Sequence, residues 1–161
     1  MLIFRNSQKG VLIIEILIAV VIIVVALVYL LSSTVFSLKI QDSLKNYLIA
    51  TNLTQEAMEA VRNFREGTSW NTNGIRILTA DINYYPQKSG DIPPKWTLVL
   101  GEETINDFKR KVVFSDVMRD ADGNIVDSGG TEDPDTKEVT VIVSWENKSV
   151  EIVTYLTNWK Q

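Results

Sequence analysis

The sequence predicts an α+β fold, in which a long N-terminal helix, half transmembrane and half amphipathic, packs against a C-terminal antiparallel β-sheet domain. Three observations carry this. Val11 to Leu31 is an apolar run interrupted by one charge, Glu15. Apolar residues then recur at spacings of mostly three and four as far as Phe64, and the last part of the chain alternates apolar and polar residues as strands do. The implied organisation is a leader over 1–10, a membrane-spanning helix over 11–32, its amphipathic continuation over 33–66 and a sheet domain over 67–161.

The leader is charged only by Arg5 and Lys9, both positive, so it is expected to stay on the cytoplasmic side. The apolar run after Gly10 is about 21 residues, roughly 31 Å as a helix, against a hydrocarbon core of about 30 Å. A secretory signal has a shorter core of roughly 7 to 15 residues and a small-x-small cleavage site, of which Ser32 and Ser33 are a poor version. Glu15 is the anomaly, because an intramembrane carboxylate costs on the order of 3 kcal/mol on insertion scales. A lone acid there either snorkels to the headgroups, protonates, or finds a cation.

Beyond the span, Leu38, Leu44, Tyr47, Leu48, Met58, Val61 and Phe64 mark one face, with Lys39, Gln41, Asp42, Lys45 and Asn46 between them. Gly67 is a candidate C-cap, followed by turn-prone Thr68, Ser69 and Asn71. A continuous helix from Val11 to Glu66 would be about 84 Å long. Its first half must be covered by lipid or neighbouring subunits and its second half by its own domain, so Met58, Val61 and Phe64 are read as core and not as a cofactor site.

After Gly67 the periodicity changes. Ile75 to Leu78 is a short apolar patch, and Asp81 to Pro94, with Pro86, Gly90, Pro93 and Pro94, reads as a loop. Trp96–Leu100 and Lys109–Val117 read as strands, and Asp120 to Asn124 as a turn leading to Ile125 and Val126. The clearest pair is Val139–Trp145 and Val150–Leu156, a hairpin across Glu146 to Lys148 with two alternating faces. This part of the chain is large enough for one core, with no second domain and no internal repeat.

The segment Lys9, Gly10, Val11, Leu12, Ile13, Ile14, Glu15 resembles the class III leader of type IV pilins and type II secretion pseudopilins. The resemblance covers about the first 35 residues and is specific because leader charge, glycine, glutamate offset and apolar length must coincide. It implies cleavage after Gly10 by a membrane-embedded prepilin peptidase, methylation of the new amino terminus at Val11, and an assembly role for Glu15. It also implies a lollipop-shaped subunit whose partners are other pilin or pseudopilin subunits, an inner-membrane assembly platform and, before assembly, lipid. The expected location is the cytoplasmic membrane, N-terminus inside and C-terminal domain outside, and then a pilus or pseudopilus. The family's usual first mature residue is phenylalanine and many major pilins carry a proline near Ser32 or Ser33; Val11 and the missing proline point to a minor pilin or pseudopilin.

Electrostatics gives Glu15 a matching task. Cleavage frees an amine at Val11 with a pKa near about 8, and methylation would not remove its charge. In parallel helices with an axial stagger, Glu15 of one subunit can lie beside the amino terminus of the next. At about 4 Å and an effective dielectric of about 20 the attraction is near 4 kcal/mol before desolvation, comparable to the insertion cost.

Composition narrows the alternatives. Sixteen basic and twenty acidic residues give a net charge of −4; without the leader, fourteen basic residues remain and the balance is −6. Bulk nucleic-acid binding is therefore not expected, and Lys109, Arg110 and Lys111 read as a solvated strand end. With no cysteine there is no disulfide, and with no histidine the usual general base is missing too. The acidic stretch Asp120, Asp122, Asp127, Glu132, Asp133, Asp135 and Glu138 is a conceivable calcium clamp, but the glycine of Asp120-Ala121-Asp122-Gly123-Asn124 is misplaced for an EF-hand; it reads as an exposed hydrophilic loop, with no metal and no cofactor assigned. Two other functions stay open: a single-pass anchored binding domain that never polymerises, and a membrane-tethered hydrolase using carboxylates.

Overall fold

The computed structural model describes residues 8–159, with side chains from Leu12 onward. Helix α1 runs Gln8–Gly67, and seven strands follow: β1 Asn83–Lys88, β2 Trp96–Leu100, β3 Glu103–Ile105, β4 Phe108–Arg119, β5 Ile125–Val126, β6 Thr131–Trp145 and β7 Lys148–Thr157. The chain divides into two compact units, Met1–Asn46 and Tyr47–Gln161. The predicted α+β layout, a long N-terminal helix with an antiparallel sheet packed on it, is what the structure shows.

The second unit is built around β4. Its sheet has the order β2-β1-β4-β6-β7, entirely antiparallel, and β3 and β5 also pair with β4. One edge of β4 is thus shared by three partners: β3 at its start, β1 at Val112 and Val113, β5 at its end. The other edge pairs with β6 along nearly its full length. Period-two alternation places Phe108, Arg110, Val112 and Phe114 of β4, and Val139, Val141, Val143 and Trp145 of β6, on one buried face.

That face is covered by the last turns of α1. Ala50, Thr54, Ala57, Met58, Ala60 and Val61 are buried there, and Phe64 packs at the margin. The small side chains at 50, 57 and 60 let the helix backbone come close to the sheet, and the Thr54 hydroxyl is satisfied by donating to the Ala50 carbonyl at 2.7 Å. Ile75, wholly buried in a single 3₁₀ turn over Ile75–Ile77, joins Trp70, Tyr84 and Phe114 in the main cluster. A smaller cluster holds Ala50, Phe108, Val143 and Trp145.

The secondary structure and its packing depart from the sequence reading in four places. Residues 81–94 are not all loop, because β1 forms within them and pairs with β2 from Tyr84↔Leu100 to Lys88↔Trp96. Pro86 is tolerated since β4 reaches only Asn83 and Tyr84, leaving the rest of β1 with an open edge where a missing N–H breaks nothing. The three-residue β3 was not expected at all. Third, β6 extends back to Thr131, so Glu132, Asp133, Asp135 and Glu138 lie in a strand and not in a loop. A register shift between Asp116 and Met118 accommodates this extension, and Gly130 is required beside it: a Cβ there would lie 2.5 Å from the Arg119 carbonyl oxygen. Finally, the helix packs on the sheet from Ile49 onward, while Leu44, Tyr47 and Leu48, expected on the covered face, are exposed.

Candidate functional site

Between Leu12 and Leu38 the helix carries one charge, Glu15, and its large apolar side chains are exposed on every side. An 18-residue stretch has a mean hydropathy of 3.2, and the helix is long and apolar enough to cross a membrane once. A helix apolar all round needs lipid or protein about it. The hydroxyls that follow do not break it: Ser32 donates to Val28 O at 2.9 Å, Thr34 to Leu31 O at 2.7 Å and Ser37 to Ser33 O at 3.0 Å. These three hydroxyls are satisfied within the helix, which continues past the apolar run with no proline to kink it.

Glu15 stands one turn from Leu12, Ile18 and Ala19, and its side chain is exposed among apolar neighbours. No described residue forms an ion pair with it. Gly10 and Val11, the expected processing junction, lie in α1, whose first described residue is Gln8. The side chains of Lys9 and Val11 are not described, and the other leader charge, Arg5, lies outside the described residues.

The basic triplet is split by strand alternation, and its middle member is not solvated. Arg110 is 3 % exposed. Its Nε and Nη2 donate to Glu103 Oε2 at 3.0 and 2.5 Å, and Nη1 donates to Glu56 Oε2 at 3.1 Å and to the Leu53 carbonyl at 3.3 Å. One guanidinium thereby links α1, β3 and β4, a use of its fixed fork that lysine could not reproduce. Lys109, on the opposite face, reaches Glu102 at 3.5 Å. The three cations form no common surface for a phosphate backbone. Parity could have revealed this: Arg110 falls between Phe108 and Val112 at an inward position, and an inward arginine demands acids facing it.

The acidic stretch is likewise tied into the fold by specific contacts, one of them an ion pair. Arg119 Nε donates to Asp133 at 2.6 Å, while its Nη1 donates to the Gly123 carbonyl at 2.8 Å. Buried Lys137 pairs with Asp116. Asp120 closes its own turn, accepting from the Asn124 and Asp122 amides at 2.8 and 3.0 Å. Trp70 Nε1 donates to Pro134 O at 3.0 Å, and Asn158 N donates to Asp135 O at 2.8 Å, pinning the start of β6 from two sides. Among the described residues no three acids converge as a metal site would require.

These contacts shift titrations in stated directions. Hydrogen bonds from Asn124 hold the Asp120 carboxyl below its ordinary value, those from Arg119 do the same for Asp133, and a hydrogen bond with Glu138 raises the Tyr155 hydroxyl. A carboxyl lowered in the folded state stabilises it above the unfolded pKa, and that contribution is lost as pH falls through the lowered value. Asp133→Asn should therefore lower stability at pH 7, and the difference from wild type should shrink as pH drops from about 4. Urea melts at pH 7 and pH 3 test this; a difference that stays constant would remove Asp133 from the account.

No family model matches the chain, and neither a curated protein nor a solved structure matches it.

Proposed function

We propose that the chain is a structural subunit of a type IV pilus or a type II secretion-like filament, cut after Gly10 by a prepilin peptidase and assembled through the helix that then begins at Val11. The observation that carries this reading is a carboxylate five residues after a glycine, exposed in an otherwise apolar span, with no cation beside it among the described residues. Its mechanism is interaction and not turnover. The β domain sits outside the cytoplasmic membrane, and the apolar helix rests in lipid until an assembly platform moves it among other subunits.

Glu15 lowers the free energy of the assembled state relative to the isolated one. In lipid the carboxylate is uncompensated; in a filament the freed Val11 amine of a neighbour supplies the opposite charge. Leu44, Tyr47 and Leu48, left exposed on α1, give neighbouring helices further apolar surface to cover.

Glu15→Ala tests the reading. Intact mass should show that the variant, like wild type, has lost Met1 to Gly10 and gained a methyl group on Val11. Incorporation into filaments should fall at least about tenfold, the consequence of losing roughly 1.4 kcal/mol of pairing that survives desolvation. Normal incorporation would remove Glu15 from assembly. A wild-type chain that still begins at Met1 in cells with active prepilin peptidase would favour the anchored, non-polymerising domain instead.

A further inference from the structure

The β domain contains a groove of about 360 Å³ between the C-terminal end of α1 and the β1–β2 hairpin. Its walls include Trp96 and Phe64 as aromatic surface and Asn63, Asn73, Asp91 and Lys95 as polar groups. This size lies within the range of small-molecule sites. Both walls are held in place before any ligand arrives. In the hairpin loop, Ser89 N donates to Lys95 O at 2.7 Å, and the Ser89 hydroxyl accepts from Lys95 N at 3.0 Å and Asp91 N at 3.4 Å. Opposite it, Asn73 Oδ1 accepts from Ser69 N at 2.8 Å, which leaves its amide N–H groups available.

The chemistry of this lining is selective. One carboxylate and one ammonium balance each other, so no net charge favours a phosphate or a free anion. No described residue pairs with the Asp91 carboxylate or the Lys95 ammonium. Lys88, outside the groove, lies 5.1 Å from the Trp96 ring centroid and takes one face of the indole, while remaining ring surface lines the groove. A polarisable aromatic surface next to amide, carboxylate and ammonium groups suits a ligand with apolar C–H faces and a rim of hydroxyls. We propose that this groove binds a neutral saccharide, one pyranose ring lying against Trp96 while Asp91, Asn63 and Asn73 hydrogen-bond its hydroxyls.

The test uses the full chain, ¹⁵N-labelled, in a zwitterionic detergent that carries no sugar headgroup. Chitotriose, cellotriose and maltotriose are titrated while the four tryptophan indole N–H resonances are followed. The expected result is a saturable shift of the Trp96 resonance by at least one of the three at millimolar concentration, with Trp145 and Trp159 unmoved. Trp96→Ala should weaken that binding at least about tenfold. Asp91→Ala, at an exposed loop position, should weaken it several-fold and guards against misreading a Trp96 variant that fails to fold. The proposal is overturned if none of the three gives a saturable shift, if all four indoles move together, or if Asp91→Ala binds as wild type does.

Discussion

Gly10→Asp is expected to abolish processing, so that the chain isolated from cells with active prepilin peptidase begins at Met1. Glycine has no Cβ, and under the proposed processing the substitution puts a charged side chain immediately before the cleaved bond. The consequence reaches further than the leader. Without cleavage Val11 has no free amine, so the cation proposed to pair with Glu15 is never made, and incorporation should fall as far as it does for an inactive peptidase. Gly10→Ala adds one methyl group and should slow processing without stopping it. A Gly10→Asp chain whose mass shows loss of residues 1–10 would move the processing site elsewhere.

Arg110→Ala should destabilise the β domain strongly. Removing one member of a buried charge network costs about 3–5 kcal/mol, because the partners are left without compensation. Here the lower end applies: the Glu56 side chain is 53 % exposed and Glu103 is 31 % exposed, so both can recover hydration, whereas the cavity left between α1 and β4 cannot close easily. Arg110→Met keeps most of the volume and should cost less. Urea unfolding monitored by tryptophan fluorescence measures both. A loss below about 1 kcal/mol for Arg110→Ala would place the guanidinium among surface pairs, which contribute little.

What could be read from the sequence depended on how local the determining physics was. The helix followed from apolar spacing alone, and so did the β6–β7 hairpin, whose Val139-to-Trp145 alternation appears intact in the observed register. Met58, Val61 and Phe64 were correctly read as core. The elements that escaped detection depend on partners distant in the chain. Proline and turn residues concealed β1, which exists because β2 and β4 lie beside it. The acidic start of β6 reads as a loop unless Arg119 of β4 is known to pair with Asp133 and the whole segment to lie along the end of β4. Arg110 looked solvated because its acids, Glu56 and Glu103, come from other elements. The roles proposed for Gly10, Val11 and Glu15 rest on a resemblance carried by one short segment, and the opposite charge proposed for Glu15 belongs to another copy of the chain.

The pairing of Glu15 with a neighbouring amino terminus is the central claim, and a structure of the assembled filament at side-chain resolution measures it directly. The account predicts the Glu15 carboxylate within about 4 Å of the methylated Val11 nitrogen of an adjacent subunit, the separation at which the attraction offsets the insertion cost. A filament in which Glu15 faces lipid or solvent with no cation near it, or in which the subunits retain their first ten residues, would contradict it.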